Sequence, residues 1–333
     1  MIKKILRSVA QPVRRLLGIE QIVQQVDLRH KELLKELKTQ IVHQFDLRHK
    51  QLLKELKTQK HQLDRASSYI EFATIDIERM RKSDKFINFH EIIPLLSPVD
   101  ISGAKYRRLG RNYDGGYVML DDFSSHNIEA AYSFGISNDV SWDEAIAELG
   151  IDVFMYDHTI DALPKQHSRF HFFKKGVTGN PPGKNFETLS NLIAHNGHQK
   201  SENLILKMDI EGYEWDVFKE TPSGVINQFS QIVIELHGLD PSRSPANLTK
   251  ISSVLKKINQ THQSVHVHAN GHCPISWLGE LALPHLLEVT YVRRADYENR
   301  FVPNTRTFPT RIDQPTFPWL PDVALGTFTV KEK

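Results

Sequence analysis

The 333-residue chain has a single cysteine, Cys273, and no CxxC or Cys/His spacing of the zinc-binding kind. One thiol cannot build a disulfide framework within one chain, and it fits a reducing compartment. No apolar run is long enough to span a bilayer, and the continuous apolar core of a secretory signal is missing. No GxGxxG string occurs, which argues against the pyrophosphate fingerprint of NAD or FAD enzymes. A large excess of basic charge is absent too: Lys and Arg number 42 against 40 Asp and Glu. Residues 1–18 hold Lys3, Lys4, Arg7, Arg14 and Arg15 and no acid, so the rest of the chain is slightly acidic. A basic nucleic-acid-binding surface on the main body is thereby excluded.

What remains is a globular composition, 40% apolar and 25% charged. The length suits one large domain with an extension, or two domains. Residues 1–18 read as a basic amphipathic helix, with Ile2, Ile5, Leu6, Val9, Val13, Leu16 and Leu17 at helical spacing and Gly18 as its stop. Such a helix either lies at a membrane surface or packs on a partner protein. These features place the protein in the cytoplasm, and on the membrane reading at the inner face of the membrane.

Residues 19–82 contain an internal repeat. Asp27–Gln40 and Asp46–Gln59 differ at one position and are offset by 19 residues. Apolar residues step along Val26, Leu33, Leu37, Ile41, Phe45, Leu52 and Leu56, then through Leu63, Ala66, Ile70, Ala73, Ile77 and Met80. The last run is a heptad seam, and the four-residue steps before it resemble a stutter. A lone helix cannot bury such a stripe. The expectation is a coiled-coil stalk that makes the protein a homo-oligomer.

Residues 83–333 form the main domain. Strand-like runs at Ile128–Phe134, Asp152–Tyr156, Phe170–Phe173, Leu204–Asp209, Gln231–Leu236, Val265–His268 and Leu286–Val292 alternate with helical patterns. The helical patterns fall at Trp142–Leu149, Phe186–Ala194, Tyr213–Glu220 and Pro245–Asn259. That alternation predicts an α/β fold with a doubly wound, mostly parallel sheet. The tail from Asp296, rich in Pro and aromatics, reads as an extended arm laid over the domain.

Leu204–Phe218 carries the strongest chemical signal. A buried strand ends abruptly at Asp209, and Glu211, Gly212 and Glu214 follow before a helix starts. Ligand crevices in open α/β sheets lie outside that edge. The acids equally suit a solvated turn that favours the helix N-terminus. Upstream, the first strand ends in Gly135, Ile136, Ser137, Asn138 and Asp139, a turn at which backbone can approach a ligand. The second strand ends at Asp157, spaced to accept hydrogen bonds from a ribose diol. Together they favour an adenosine-containing cofactor.

The glycine turn, the acid after the second strand, Phe186–Leu189, and Lys207 to Glu214 (Lys-Met-Asp-Ile-Glu-Gly-Tyr-Glu) occur in an order that resembles the FkbM-type family of S-adenosylmethionine-dependent methyltransferases. The resemblance spans roughly Tyr106 to Gly326, and the Lys207–Glu214 core is its most specific part. It implies a Rossmann-like class I methyltransferase fold, S-adenosylmethionine as cofactor, and O-methylation of a sugar, a glycan or a small natural product. A lipid-linked surface polysaccharide is one such acceptor. It also implies that Gly135, Ser137, Asn138 and Asp139 line the methionine part, that Asp157 holds the ribose, and that Gly176 and Val177 lie near the adenine. Asp209 and Glu211 would face the methyl group. Arg111 and Asp114, in a Gly-rich segment that a tight hairpin explains equally well, would contact the cofactor's charged end.

Methyl transfer to a hydroxyl needs a base or a metal. His237 is the preferred base, with Asp209 or Glu235 orienting it. Asp209, Glu235, His237 and His268 could instead ligate a divalent metal ion. The rival from another class is a coiled-coil scaffold carrying a non-catalytic methyltransferase-like module.

Overall fold

The computed structural model describes residues 19–73, 91–180, 182–240, 244–278 and 281–329. The basic segment 1–18 and the end of the heptad seam, Ile77 and Met80, lie outside the described residues. The chain divides into two compact units, Met1–Ser67 and Ser68–Lys333.

Helix α1 runs over Ile19–Ala73, 55 residues without a glycine or proline. Its Leu, Lys, Glu and Gln content favours a helix at nearly every position. Val26, Leu33, Leu37, Ile41 and Leu52 of the expected seam are exposed, as is Ile22 one turn before it. An ion pair between Arg29 and Glu32 bridges one turn at 3.2 Å. Among the described residues, no helix is long and apolar enough to cross a membrane.

In the larger unit the chain forms a hairpin of β2 (Tyr106–Gly110) and β3 (Gly116–Leu120), preceded by the short strand β1 (Asp100–Ile101). Then come β4 (Ala130–Phe134), α2 (Ser141–Glu148), β5 (Val153–Tyr156), β6 (Phe170–Phe173), β7 (Gly176–Val177), β8 (Phe186–Glu187) and α3 (Leu189–His195). They are followed by β9 (Leu204–Met208), α4 (Glu214–Glu220), α5 (Ser223–Ile226), β10 (Phe229–His237) and α6 (Pro245–Ile258). The unit closes with β11 (His262–Ala269), β12 (Ile275–Leu278), β13 (Leu281–Pro284), β14 (Leu286–Arg293) and β15 (Phe301–Val302). The central sheet has seven strands in the order β11-β14-β10-β9-β4-β5-β6. From β6 to β10 neighbouring strands are parallel, and β14 runs antiparallel to both β10 and β11. This is the α/β sheet the alternating pattern predicts.

Alternation along the central strands serves two cores. Tyr132, Phe134, Leu204, Leu206, Met208, Ile232, Ile234 and Leu236 pack with Leu192, Trp215, Phe218, Leu248 and Ile251. Ala131, Ile205 and Val233 pack with Trp142 and Ile146 of α2 and with Leu109, Tyr117 and Met119 of the hairpin. Side chains pin the hairpin down. Gln231 accepts from Leu120 N at 3.1 Å and donates to Leu120 O at 3.1 Å, and Thr290 Oγ1 donates to Val118 O.

Two expectations need correction. Phe186 and Glu187 are not helical but pair with β7. The helix starts at Leu189 because Thr188 caps it, accepting from Asn191 N at 3.3 Å. The tail does more than cover the domain: Phe308, Leu325 and Phe328 are fully or nearly buried members of the larger core. The strand pair β12–β13 carries too short an apolar pattern to be separated from loop by periodicity.

Candidate active site

Three parallel strands deliver the site. Phe134 and Ile234 both sit beside Met208, so β4, β9 and β10 end at one edge. Alternation then sends Ser133, Lys207 and Glu235 to the face covered by α2 and the hairpin. Lys207 Nζ donates to Gly135 O at 2.6 Å and lies 5.9 Å from the centre of the Tyr117 ring. Burial pushes the neighbouring Asp143 carboxyl up, and the Lys207 charge opposes it. Gly135 takes φ +78°, and a Cβ there would overlap the carbonyl oxygen of Asp209. Only glycine lets the first turn touch the acidic one.

Asp209, Glu211, Glu235 and His237 converge beside that contact. His237 Nδ1 is 3.1 Å from Glu214 Oε1 and 3.1 Å from Glu235 O. Its Nε2 faces Glu211 Oε2 at 3.5 Å and Glu235 Oε2 at 3.8 Å. Burial pulls the imidazole down, but the hydrogen bond to Glu214 and the charges of Glu214, Asp209 and Glu211 outweigh it and hold His237 above its ordinary value. Glu235 is pushed well above the usual carboxylate range, first by burial and then by the charge of, and hydrogen bond with, Asp209. The sequence reading gave Asp209 or Glu235 the role of orienting His237, but neither carboxylate bonds its Nδ1. Glu214 does. It is fully buried and also accepts from Ile210 N at 2.8 Å, while its Oε2 has no partner.

The hairpin loop reaches the same cluster. Arg111 Nε donates to Asp114 O at 2.6 Å and pairs with Asp139 at 3.2 Å. Asp139 also accepts from Ser141 N at 3.0 Å, so it braces the start of α2. Asp114 meets His272 at 3.5 Å and Asn270 Nδ2 at 3.4 Å, and Asn270 Nδ2 also donates to Glu235. Bonding to His272 holds the Asp114 carboxyl below its usual range, although burial opposes it. Tyr117 is buried here, its hydroxyl pushed well up by burial and then by Asp209, Glu235, Glu288 and Asp114. Three non-glycine residues with positive φ lie in these turns: Tyr113 (66°), Ser137 (49°) and Glu211 (59°). Each such conformation costs about 1–3 kcal/mol and persists only where its surroundings impose it.

Other expected residues take different places. Asp157 Oδ2 accepts from Ile136 N at 2.9 Å and Ser137 N at 2.8 Å, and Oδ1 accepts from Thr159 N at 2.7 Å and Thr159 Oγ1 at 2.6 Å. A carboxylate offers about four acceptor positions, so Asp157 ties the glycine turn and has no open position for a ribose diol. Ser137 and Asn138 are exposed at the tip of that turn. Val177 is buried in the core. Gly176 lies under Phe186 and His158, whose rings are 4.6 Å apart. His268 does not join His237: its Nδ1 meets Glu288 at 2.9 Å and its Nε2 meets Asp322 at 3.0 Å. His266 pairs with Asp313 at 2.9 Å. Both histidines fasten the tail.

Residues 124–262 match the family model of the methyltransferase FkbM domain. This part of the chain is similar to methyltransferase FkbM domains. No curated relative matches the chain. The FkbM domain spans β4 to the start of β11 and includes Gly135, Asp157, Asp209, Glu211, Glu235 and His237. Arg111, Asp114, Asn270 and the tail lie outside it and complete its edge. Sequence reasoning gave Tyr117 and Asn270 no role and left Glu214 between the site and the start of the helix. The charged Glu214 at a first helical turn was the one visible signal, and it reads as a dipole partner.

The ligand atoms of Asp209, Glu211 and His237 lie within 4.8 Å of one another. Two carboxylates and an imidazole suit a divalent ion such as Mn or Fe. The hydrogen bond from His237 Nδ1 to Glu214 is the outer-shell arrangement that fixes a ligating imidazole. Glu235 and His268, expected among the ligands, are outside this group. For a cofactor, the exposed turn Ser137–Asn138 offers polar side chains at the sheet edge.

Proposed function

We propose that the chain transfers a methyl group from S-adenosylmethionine to a hydroxyl oxygen of a sugar, glycan or small natural product. The observation that carries this reading is the His237–Glu214 pair set among Asp209, Glu211 and Glu235 against the Gly135 turn. The cofactor would supply an electrophilic methyl on a sulfonium, and the turn at Gly135, Ser137 and Asn138 would hold it. Lys207 and Asp157 keep that turn in place. Above its raised pKa, His237 Nε2 takes the proton of the acceptor hydroxyl, and Glu214 stabilises the imidazolium that forms. The surrounding carboxylates favour positive charge at this edge.

A second reading rests on the Asp209, Glu211 and His237 group. Held there, a divalent ion would lower the pKa of a bound hydroxyl and orient it, with His237 a ligand instead of a base. Turnover of the full chain with and without a chelator separates the two. The reading as a whole is tested by titration calorimetry with S-adenosylmethionine; absence of binding would leave a scaffold carrying a methyltransferase-like module.

Around this core we assign residues 19–82 to a homo-oligomeric stalk, supported by the exposed stripe Ile22, Val26, Leu33, Leu37 and Ile41. A monomer in sedimentation equilibrium refutes that. Residues 1–18 would hold the enzyme to the inner face of a membrane, near a lipid-linked glycan, or to a partner protein. Liposome flotation that is equal with and without residues 1–18 refutes the membrane version. The site of action is then cytoplasmic.

A further inference from the structure

The larger unit exposes few large apolar side chains. Among the described residues of this unit the two most exposed are Tyr213, at 65%, and Trp319, at 56%. Tyr213 lies two residues after Glu211. Trp319 stacks on Phe317, ring centres 5.2 Å apart and planes 30° apart, and Phe317 packs on His272 at 4.6 Å. His272 in turn meets Asp114.

This segment is fixed to the acidic cluster. Thr316 Oγ1 accepts from Gly271 N at 2.7 Å, and Asn270 Oδ1 accepts from His272 N at 2.9 Å. Asn270 also holds Glu235 and Asp114. One hub therefore joins the aromatic pair to the carboxylates around His237. A single exposed aromatic is ordinary, but here the indole is stacked on Phe317 and fixed beside placed polar groups. The side chains of His272 and Asp114, 44% and 42% exposed, put a donor and an acceptor beside the ring stack. Flat apolar faces bordered by a few placed polar groups are what a pyranose presents its ring to: its C–H face lies on the indole, and its hydroxyls reach the imidazole and carboxylate.

We infer that Trp319, backed by Phe317, is the acceptor platform, a stacking subsite for one pyranose ring held by His272 and Asp114. The inference rests on the methyltransferase reading above and narrows its acceptor to a sugar. The tail, outside the matched FkbM domain, would then set the specificity of the site.

Saturation-transfer NMR on the full chain with S-adenosylmethionine tests it, using the methyl glycosides of glucose, galactose, mannose, rhamnose and fucose, and catechol as a planar control. At least one glycoside should receive transfer, strongest on one ring face. Trp319→Ala should weaken its binding about tenfold or more, and Trp319→Phe should retain most of it, as expected for an anchoring aromatic. Transfer to no glycoside, transfer to catechol alone, or equal binding by Trp319→Ala overturns the inference. Calorimetry with S-adenosylmethionine on the same samples keeps the outcomes apart. Lost cofactor binding by the wild type refutes the methyltransferase reading, whereas intact cofactor binding without glycoside transfer refutes only the platform.

Discussion

Replacing Glu214 by glutamine keeps the volume and the acceptor for Ile210 N but removes the charge behind His237. In the wild type the imidazole lies above its ordinary value because Glu214 outweighs burial. A raised folded-state pKa stabilises the fold fully below the unfolded value, roughly 6.5, and the stabilisation disappears as pH climbs through the folded value. In Glu214→Gln burial becomes the dominant influence, so the imidazole pKa falls. His237 has a side chain only 15% exposed and Glu214 none, so solvent screens the pair little. A hydrogen bond to a charged group contributes about 1.5–3 kcal/mol. Asp209 and Glu211 still act on the ring, which puts the expected loss near the lower end. Urea unfolding should therefore show Glu214→Gln destabilised by about 1.5 kcal/mol more at pH 6 than at pH 9. An NMR titration of the His237 ring protons should show its pKa lowered. Equal destabilisation at both pH values, or an unmoved His237 titration, refutes the assignment of Glu214 as its partner.

Gly135→Ala should destabilise the fold by about 2 kcal/mol or more, because the new Cβ meets Asp209 O and φ +78° is unfavourable for alanine; unfolding and cofactor calorimetry check it. His237→Ala should spare S-adenosylmethionine binding while abolishing turnover, and near-normal turnover would show the base is elsewhere. Buried His266 is held below its ordinary value, so it is neutral near pH 7 and donates Nε2–H to Asp313. Burial pushes the Asp313 carboxyl up, but bonding to His266 and Thr310 and the charge of His268 hold it at about 2. That stabilisation is present above the unfolded value, roughly 3.9, and is lost as pH falls towards 2. Asp313→Asn should then cost about 2 kcal/mol at pH 7 and about a third of that at pH 2.5 by urea unfolding, and a cost that does not change with pH would refute it.

The positions of the seven central strands were readable because burial marks a strand locally. Leu204–Met208 is apolar throughout since both faces of the sheet are covered. The meeting of β4 and β9 was foreshadowed by Gly135 and Asp209, each placed just past a strand end. The partnership of His237 was not readable. Glu214 stands at a first helical turn, where an acid usually serves the dipole. What turns it inward is the backbone of residues 209–214, reversed by Glu211 at φ 59° and Gly212 at φ 101°. Asp157 shows the converse, since its spacing after Gly135 suited a ribose, yet the turn takes two of its acceptor positions and Thr159 the other two. Asn270 and the aromatic pair Phe317–Trp319 lie outside the FkbM domain and far along the chain from Asp114. Periodicity and motif spacing report local environment and strand ends. Contacts between loops distant in sequence depend on the packed backbone, and here they decided which acid serves His237 and which residues rim the site.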